Sequence, residues 1–452
     1  MNAQEAPVRW LRGSLLTAVL LLLLPIGNAA AADAGSSDTI PPGTVVNTSN
    51  WQKYQANLTE GMIAVFKGDH FWAFPKEAEI VVGPTVPIGR PKLYLDNTEK
   101  YGNQTRLVRL PTGGYTVQNY TAGAPFPNPL AEKNTDLIGQ EIHYDCYYRP
   151  QARTEFAPNC TTAIDRYGNM TRTSDTNVVF TQMTHLSSPT YPVDLADNGG
   201  YYRAAYIEQT APEQGKYTAT LLLAPNDPTA IDELYAYIPS LRRSLRLSEA
   251  ARCAPLFGTD FTWEDLDSGP PGLPQLFQIK YVKSMKLLAL VHQNPKAYAS
   301  CGTSTGLPPE FYHNAGKQTL SFPTRASGDW ELRDVYVIEY SRLPQFGKGY
   351  CFSRRVVYID KETLFGLATD LYDAGGKLYK MILLFNLTVD IPNTQDHLLT
   401  LAPAAGYAAN FQDDHASTFI GTVPCIDHDC DAGGWTNIGR YGTADGLMKI
   451  AQ

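Results

Sequence analysis

The residues whose types and spacing are best suited to chemistry lie between Glu233 and Asp267, ELYAYIPSLRRSLRLSEAARCAPLFGTDFTWEDLD. Arg242 and Arg243 follow an aromatic run, Leu234 to Ile238, that stops at Pro239. A guanidinium offers a planar fork of donors, so the pair suits a lipid phosphate, a ligand carboxylate or a partner protein. It equally suits an ion pair with Asp260, Glu264 or Asp265. Glu264, Asp265 and Asp267 are the carboxylates a glycoside hydrolase would need. Adjacent strand residues point to opposite faces, so one segment does not place two of them across a substrate. A solvated loop, or a salt bridge to Arg242 and Arg243, is the expected arrangement.

A second cluster, Cys425-Ile426-Asp427-His428-Asp429-Cys430 with Asp413-Asp414-His415 upstream, carries metal-ligand residue types. Zinc would require thiolates. In an exported chain the two cysteines are expected to close a polar loop as a disulfide instead. His143, Ser187 and Asp194 are the ingredients of a triad, but no G-x-S-x-G elbow is present. There is no P-loop and no H-E-x-x-H among the eight histidines. The sequence therefore points to no catalytic residue, no metal and no cofactor.

Compartment follows from the N-terminus. Arg9 and Arg12 precede an apolar run, Leu15 to Leu24, broken by Pro25 and Gly27, with small residues Ala29 to Ala32 before Asp33. This is the layout of a signal peptide, residues 1–32. Its apolar core is well short of the roughly 20 residues that span a bilayer. Residues 33–40 read as a disordered tail and 41–452 as one large domain. That domain has an N-terminal elaboration (about 41–175) and a C-terminal extension (about 390–452). The net charge of −8 provides no basic stripe for nucleic acid.

Seven cysteines in an oxidising compartment should mostly pair. Short loops favour Cys146–Cys160 and Cys425–Cys430. Cys253–Cys301 is the third expected bond, leaving Cys351 as a thiol.

Elements that could position such residues are mostly extended. Asn50 to Leu58 reads as a short helix, Met62 to Phe66 and Ala78 to Val82 as extended runs, and Gly123 to Pro129 as a proline-bound loop. Val178–Thr181, Tyr201–Ile207, Lys216–Leu223 and Glu233–Ile238 are rich in β-favouring residues. Phe277 to Val291 reads as strand. Leu332–Tyr340, Arg354–Ile359, Leu364–Tyr372 and Lys377–Leu387 alternate and are separated by tight turns, the pattern of an antiparallel meander. Few helical periodicities are visible. The 27 tyrosines fit sheet surfaces that are half apolar and half wet, whether as packing or as the lining of a groove.

On these residues the chain resembles a known group. Tyr235-x-Tyr237-x-Pro239, Arg242-Arg243, Phe257-Gly258-Thr259-Asp260-Phe261-Thr262 and Glu264-Asp265-Leu266 are similar to a pattern in bacterial outer-membrane lipoprotein-sorting proteins. More narrowly, Pro42-Gly43-Thr44-Val45-Val46, Ala122 to Pro127, Arg354 to Thr363 and Tyr372 to Leu378 resemble the bacterial family called domain of unknown function 1329.

The resemblance implies a β-rich α+β fold of the LolA/LolB type, a strongly curved, incomplete antiparallel β-barrel with covering helices and long loops. It implies a periplasmic protein of a Gram-negative bacterium that binds or carries a hydrophobic or lipid-like ligand. Its expected partner is an inner-membrane exporter of the resistance-nodulation-division class. Tyr235, Tyr237, Arg242, Arg243, Phe257 and Phe261 are the candidate ligand-binding residues. An envelope hydrolase and a non-catalytic adaptor or structural protein are the rival readings.

Overall fold

The structure, a computed structural model, describes residues 39–68, 70, 78–167, 169–265, 274–298, 311–315, 318–400 and 405–450. The expected leader, most of the expected tail, Asp267 and Cys301 lie outside the described residues.

One antiparallel sheet of 14 strands dominates. In chain order they are β1 (Thr154–Ile164), β2 (Met170–Gln182), β3 (Tyr201–Ala211), β4 (Ala219–Pro225), β5 (Glu233–Ile238) and β6 (Arg243–Arg246). They continue with β7 (Phe277–Ala289), β8 (Glu331–Arg342), β9 (Arg354–Asp360), β10 (Gly366–Tyr372), β11 (Leu378–Phe385), β12 (Ala405–Asn410), β13 (His415–Gly421) and the short β14 (Cys425–Ile426). The spatial order is β6-β5-β4-β3-β2-β1-β13-β12-β11-β10-β9-β8-β7, with β14 paired to β1. Two meanders, β1–β6 and β7–β13, thus join along β1 and β13. β1 lies within the stretch expected as N-terminal elaboration, and β12 and β13 within the expected C-terminal extension.

The sheet is open, because β6 and β7 do not pair, yet it is strongly curved. Eleven strand spacings separate β6 from β8, roughly 50 Å on a flat sheet. Nevertheless Arg342 of β8 forms an ion pair with Glu249, three residues past β6. Gln275, just before β7, donates to the carbonyl of Ala230, just before β5, at 3.3 Å. Only a sheet wrapped on itself brings these together, as in an incomplete barrel.

Both faces are buried. Along β8, Val335 and Val337 join one core while Ile338 and Tyr340 join another, and β10 is buried at every position. The outer face of β8–β11 is covered by helix α1 (Glu60–Phe66), whose Met62, Val65 and Phe66 share a core with Met381 and Leu383. A Cβ on Gly61 would lie 2.4 Å from that of Met381, so glycine is what lets α1 sit this close. Thr59 caps α1, and Asp370 accepts from the amides of Glu60 (2.9 Å) and Gly61 (3.1 Å). The extended run expected at Met62–Phe66 is therefore a helix, fixed by a local cap and a carboxylate some 300 residues away. The outer face of β2–β5 is covered from the C-terminus by α4 (Ile438–Tyr441) and α5 (Ala444–Leu447).

Two further helices were not expected from the sequence. The first, α2, spans Lys92–Tyr101. The second, α3 (Thr135–Tyr147), packs inside the curve on β7, with Gly139 against the backbone of Ile279 and Tyr281. Gln140, His143 and Asp145 on α3 are as buried as Ile138 and Ile142. A helix covered on all sides loses the 3.6-residue hydrophobic period, which hides it in the sequence.

Candidate ligand-binding site

Residues directly opposite each other in paired strands share a face, so the registers trace the inner face of the curve. Val178 on β2 pairs with Ile207 on β3. On the far side, Leu384 on β11, Gly406 on β12 and Phe419 on β13 form one row that continues to Thr161 on β1. A Cβ at Gly406 would lie 2.3 Å from the Phe419 ring, so the glycine makes room for that ring. Val178, Phe180, Ile207, Leu384 and Phe419 line one apolar cavity of about 60 Å³ that opens at its mouth. Flat, β3 and β11 would stand about 24 Å apart; curvature folds them around this space.

The remaining wall is the segment that follows β6. It leaves the sheet edge, crosses the inner face and rests against β9–β13. The amide of Leu247 donates to the carbonyl of Leu234 at 2.7 Å as the segment leaves the edge. A tight loop then closes, with the Leu256 amide donating to the Phe261 carbonyl at 2.8 Å. Phe257 and Gly258 both take positive φ, 49° and 75°. Nothing lies within 4 Å of a Cβ built at Gly258, so its requirement is conformational rather than steric. The loop turns Leu256, Phe257 and Phe261 into the cavity. Phe261 meets Phe419 edge-on at 4.9 Å.

The opposite side of the same segment is charged and held by ion pairs. Asp260 accepts from Ser417 Oγ and from His415 Nδ1, both at 2.6 Å. Asp265 accepts from Lys380 Nζ at 2.7 Å and lies 3.4 Å from Arg355, and Arg355 also donates to the Glu264 carbonyl at 2.6 Å. Glu264 pairs with Arg252, which reaches Asp232 at 3.3 Å. Arg252, Arg355, Glu264 and Asp265 are all buried. Burial alone would push the Asp265 carboxyl up; Lys380 and Arg355 outweigh it and hold the group below the usual range. Burial likewise opposes ionisation of Asp260, and hydrogen bonds from His415 and Ser417 bring it below its ordinary value. The same contact raises His415 despite its partial burial. On this side lies a polar pocket of about 240 Å³ that includes Asp260, Glu264, Lys380 and the Cys253–Cys351 disulfide.

Two of the residues expected from sequence to bind ligand, Phe257 and Phe261, line the cavity. Tyr235 and Tyr237 face away from it: Tyr237 lies in the outer core beside Tyr441, and the Tyr235 hydroxyl donates to Glu233 at 2.8 Å. Alternation puts Leu234, not the tyrosines, on the inward side of β5. Arg242 and Arg243 are exposed at the sheet edge, Arg242 with φ of 49° closing the turn after Pro239. The ion pairs expected between them and Asp260, Glu264 or Asp265 are replaced by His415, Arg252, and Lys380 with Arg355. The arginine pair stays on the edge strand while the carboxylates travel across the barrel.

The buried cations were not singled out from sequence. A signal exists: Arg355 and Lys380 sit on the inward register of otherwise apolar strands, where a charge must be paired. Arg354, one residue earlier, points outward to Glu339 at 3.2 Å.

Disulfide expectations fare unevenly. Cys425–Cys430 forms, closing the acidic loop. Cys253 bonds Cys351 rather than Cys301, so Cys351 is not the leftover thiol. Cys160 is disulfide-bonded but Cys146 is a buried thiol, so that expected pair does not form. Cys146 lies on α3 inside the curve, whereas Cys160 stands opposite Ile420 on the outer face, with the sheet between them. The three residue types of a triad, of which no catalysis was expected, are dispersed: His143 meets Tyr340, Ser187 accepts from Asn97, and Asp194 accepts from the His185 amide. Among the described residues no group of three or more His, Cys, Asp or Glu is arranged to hold a metal, and no helix is long and apolar enough to cross a membrane.

No curated protein sequence is detectably similar to this chain. Among solved structures it is similar to a domain from Vibrio parahaemolyticus provisionally named as an outer membrane lipoprotein-sorting protein, at 15% identity and a TM-score of 0.43, covering 67% of this chain and 100% of the other. It is similar to a DUF1329 family protein from Desulfovibrio piger, at 13% identity and 0.43, covering 66% and 95%. It is also similar to a LolA superfamily protein from Nitrosomonas europaea, at 10% identity and 0.36, covering 64% and 93%. A family model described as "Protein of unknown function (DUF1329)" matches residues 45–420, most of the sequence, and the chain belongs to that family.

Proposed function

We propose that this protein is a periplasmic carrier that holds a hydrophobic or lipid-like ligand inside the curve of its sheet and passes it to or from an envelope exporter. The observation that carries this reading is the open apolar cavity walled by Phe257, Phe261, Phe419, Val178 and Ile207. Each methylene buried there contributes about 0.8 kcal/mol, so part of an acyl-like chain is held without any reaction. The disulfides support an oxidising compartment. Carriage by an exporter of the resistance-nodulation-division class rests on family resemblance alone.

The hydrolase reading has less support. Asp260, Glu264 and Asp265 border one polar pocket, but each is engaged by His415, Arg252 or Lys380. Asp260 and Asp265 are both held below the usual carboxylate range, whereas a general acid needs a raised one. An adaptor role predicts a filled interior instead.

The test is lipid extraction and mass spectrometry of protein purified from the periplasm. A co-purifying amphiphile, lost on introducing Phe257→Asp, is the expected result. Bare protein from every preparation, together with no uptake of added amphiphiles, rejects the carrier.

A further inference from the structure

The cavity is apolar in most of its wall but not in all of it. Asn159, Asn386 and Thr400 line it and are 6%, 1% and 0% exposed. Their oxygens, Asn159 Oδ1, Asn386 Oδ1 and Thr400 Oγ1, have no hydrogen-bond partner among the described residues. Buried polar atoms in folded proteins are nearly always hydrogen-bonded, so several such oxygens around one cavity require a cause.

Their backbones are fixed in place. Asn159 stands in register opposite Thr176, itself a lining residue. The Asn386 carbonyl accepts from the Gln293 amide at 3.1 Å, and the Thr400 amide donates to the Leu387 carbonyl at 3.1 Å. Asp265 also contributes to the lining, with Oδ1 lacking a hydrogen bond. The polar lining is thus rich in acceptors.

Resting on the carrier reading above, we infer that the cavity selects a long-chain ligand bearing a neutral hydrogen-bond donor, a hydroxyl or an amide N–H, within its buried part. An unsubstituted chain leaves these oxygens unpaired. An ester accepts from the Thr400 hydroxyl but presents no donor to the two asparagine oxygens. A carboxylate or an ammonium must be desolvated against a largely apolar wall, and the one lining carboxylate, Asp265, is already paired with Lys380 and Arg355. A hydroxyl or amide satisfies the acceptors and adds no charge.

Four ligands of one chain length separate these cases: 1-dodecanol, dodecanamide, methyl dodecanoate and dodecanoate. Each is titrated against the whole mature protein loaded with the fluorescent probe 1-N-phenylnaphthylamine. The alcohol and the amide should displace the probe about tenfold more tightly than the ester or the carboxylate, the ratio for one hydrogen bond of ordinary net strength. Asn386→Leu should shrink that ratio to about twofold. The series on the unaltered protein decides the matter even if the variant does not fold. Affinities within twofold of one another overturn the inference, because solvent then satisfies these oxygens, and leave the carrier standing. If no member displaces or binds in place of the probe, the carrier reading falls with it.

Discussion

The segment Leu247–Asp265 has two sides that obey different physics. One side presents Leu256, Phe257 and Phe261 to the cavity. The other presents Asp260 and Asp265 to partners on strands remote in sequence, Arg355, Lys380, His415 and Ser417, while Glu264 pairs with Arg252 within the segment. The apolar side is compatible with any chain that fills space. The charged side is specific, because each buried carboxylate demands a cation at one place. The comparison teaches that the charged residues here hold a wall in position, and that the wall's apolar side is where a ligand is met. It also separates two kinds of arginine. Arg242 and Arg243 draw the eye in the sequence and are exposed, whereas Arg252 and Arg355 are buried and fix the strap.

Breaking the charged side should have the largest effect. Asp265→Ala leaves Lys380 and Arg355 buried without their carboxylate and should cost about 3–5 kcal/mol, read as a shift of the urea unfolding midpoint. A loss under about 1 kcal/mol would mean that the strap is not held by this pair. The two disulfides give the next contrast. Cys253–Cys351 joins residues 98 apart and Cys425–Cys430 residues 5 apart. The loop-entropy model assigns them about 4.7 and about 2 kcal/mol. Paired Cys→Ser variants should therefore rank in that order by thermal unfolding, and the first alone should raise the affinity for added amphiphiles by loosening the wall.

The apolar side should show the reverse profile. Phe257→Ala removes a half-buried ring and should lower stability by about 1 kcal/mol or less, while weakening retention of an acyl-like ligand several-fold. Equal retention by variant and parent would move the ligand away from this wall.

A smaller effect is expected from pH. Asp260 is lowered and His415 raised. The lowered carboxyl contributes stability above its unfolded value, lost as pH falls through its folded one. The raised imidazole contributes below its unfolded value of about 6.5, lost as pH rises through its folded one. The pair therefore favours the folded state most in mildly acidic solution. His415→Ala should flatten the decline above about pH 6.5, measured by unfolding at several pH values; an unchanged slope removes the pair from the account. The smallest effect belongs to Arg243→Ala, within about 0.5 kcal/mol and without loss of amphiphile binding. A marked loss of binding would return the exposed arginines to the site.

Much of the sheet was legible beforehand. Alternation and turn residues mark the hairpins from Leu332 to Leu387, because a strand's two-residue period and a turn's backbone demands are both local. Helix α3 and helix α1 were not legible. The first is buried all round, and the second reads as a short apolar run until Thr59 and Asp370 cap it. The cavity was half legible. Phe257 and Phe261 stand in a motif whose glycine needs positive φ, a feature the sequence exhibits. Tyr235 and Tyr237 share that neighbourhood in the chain and lie across the sheet from it, since one step along a strand changes the face.

By itself, then, the sequence determined the extended elements, the family and the need to pair most cysteines. Each of these depends on interactions within a few residues or on a pattern of residue types. Which face of each strand turns inward, which cysteine meets Cys253, and which cations neutralise Glu264 and Asp265 were decided by the tertiary structure. Those choices depend on how a 14-stranded sheet curves until its two ends are bridged. Curvature sums small twists over many strands, and no local stretch of sequence contains that sum.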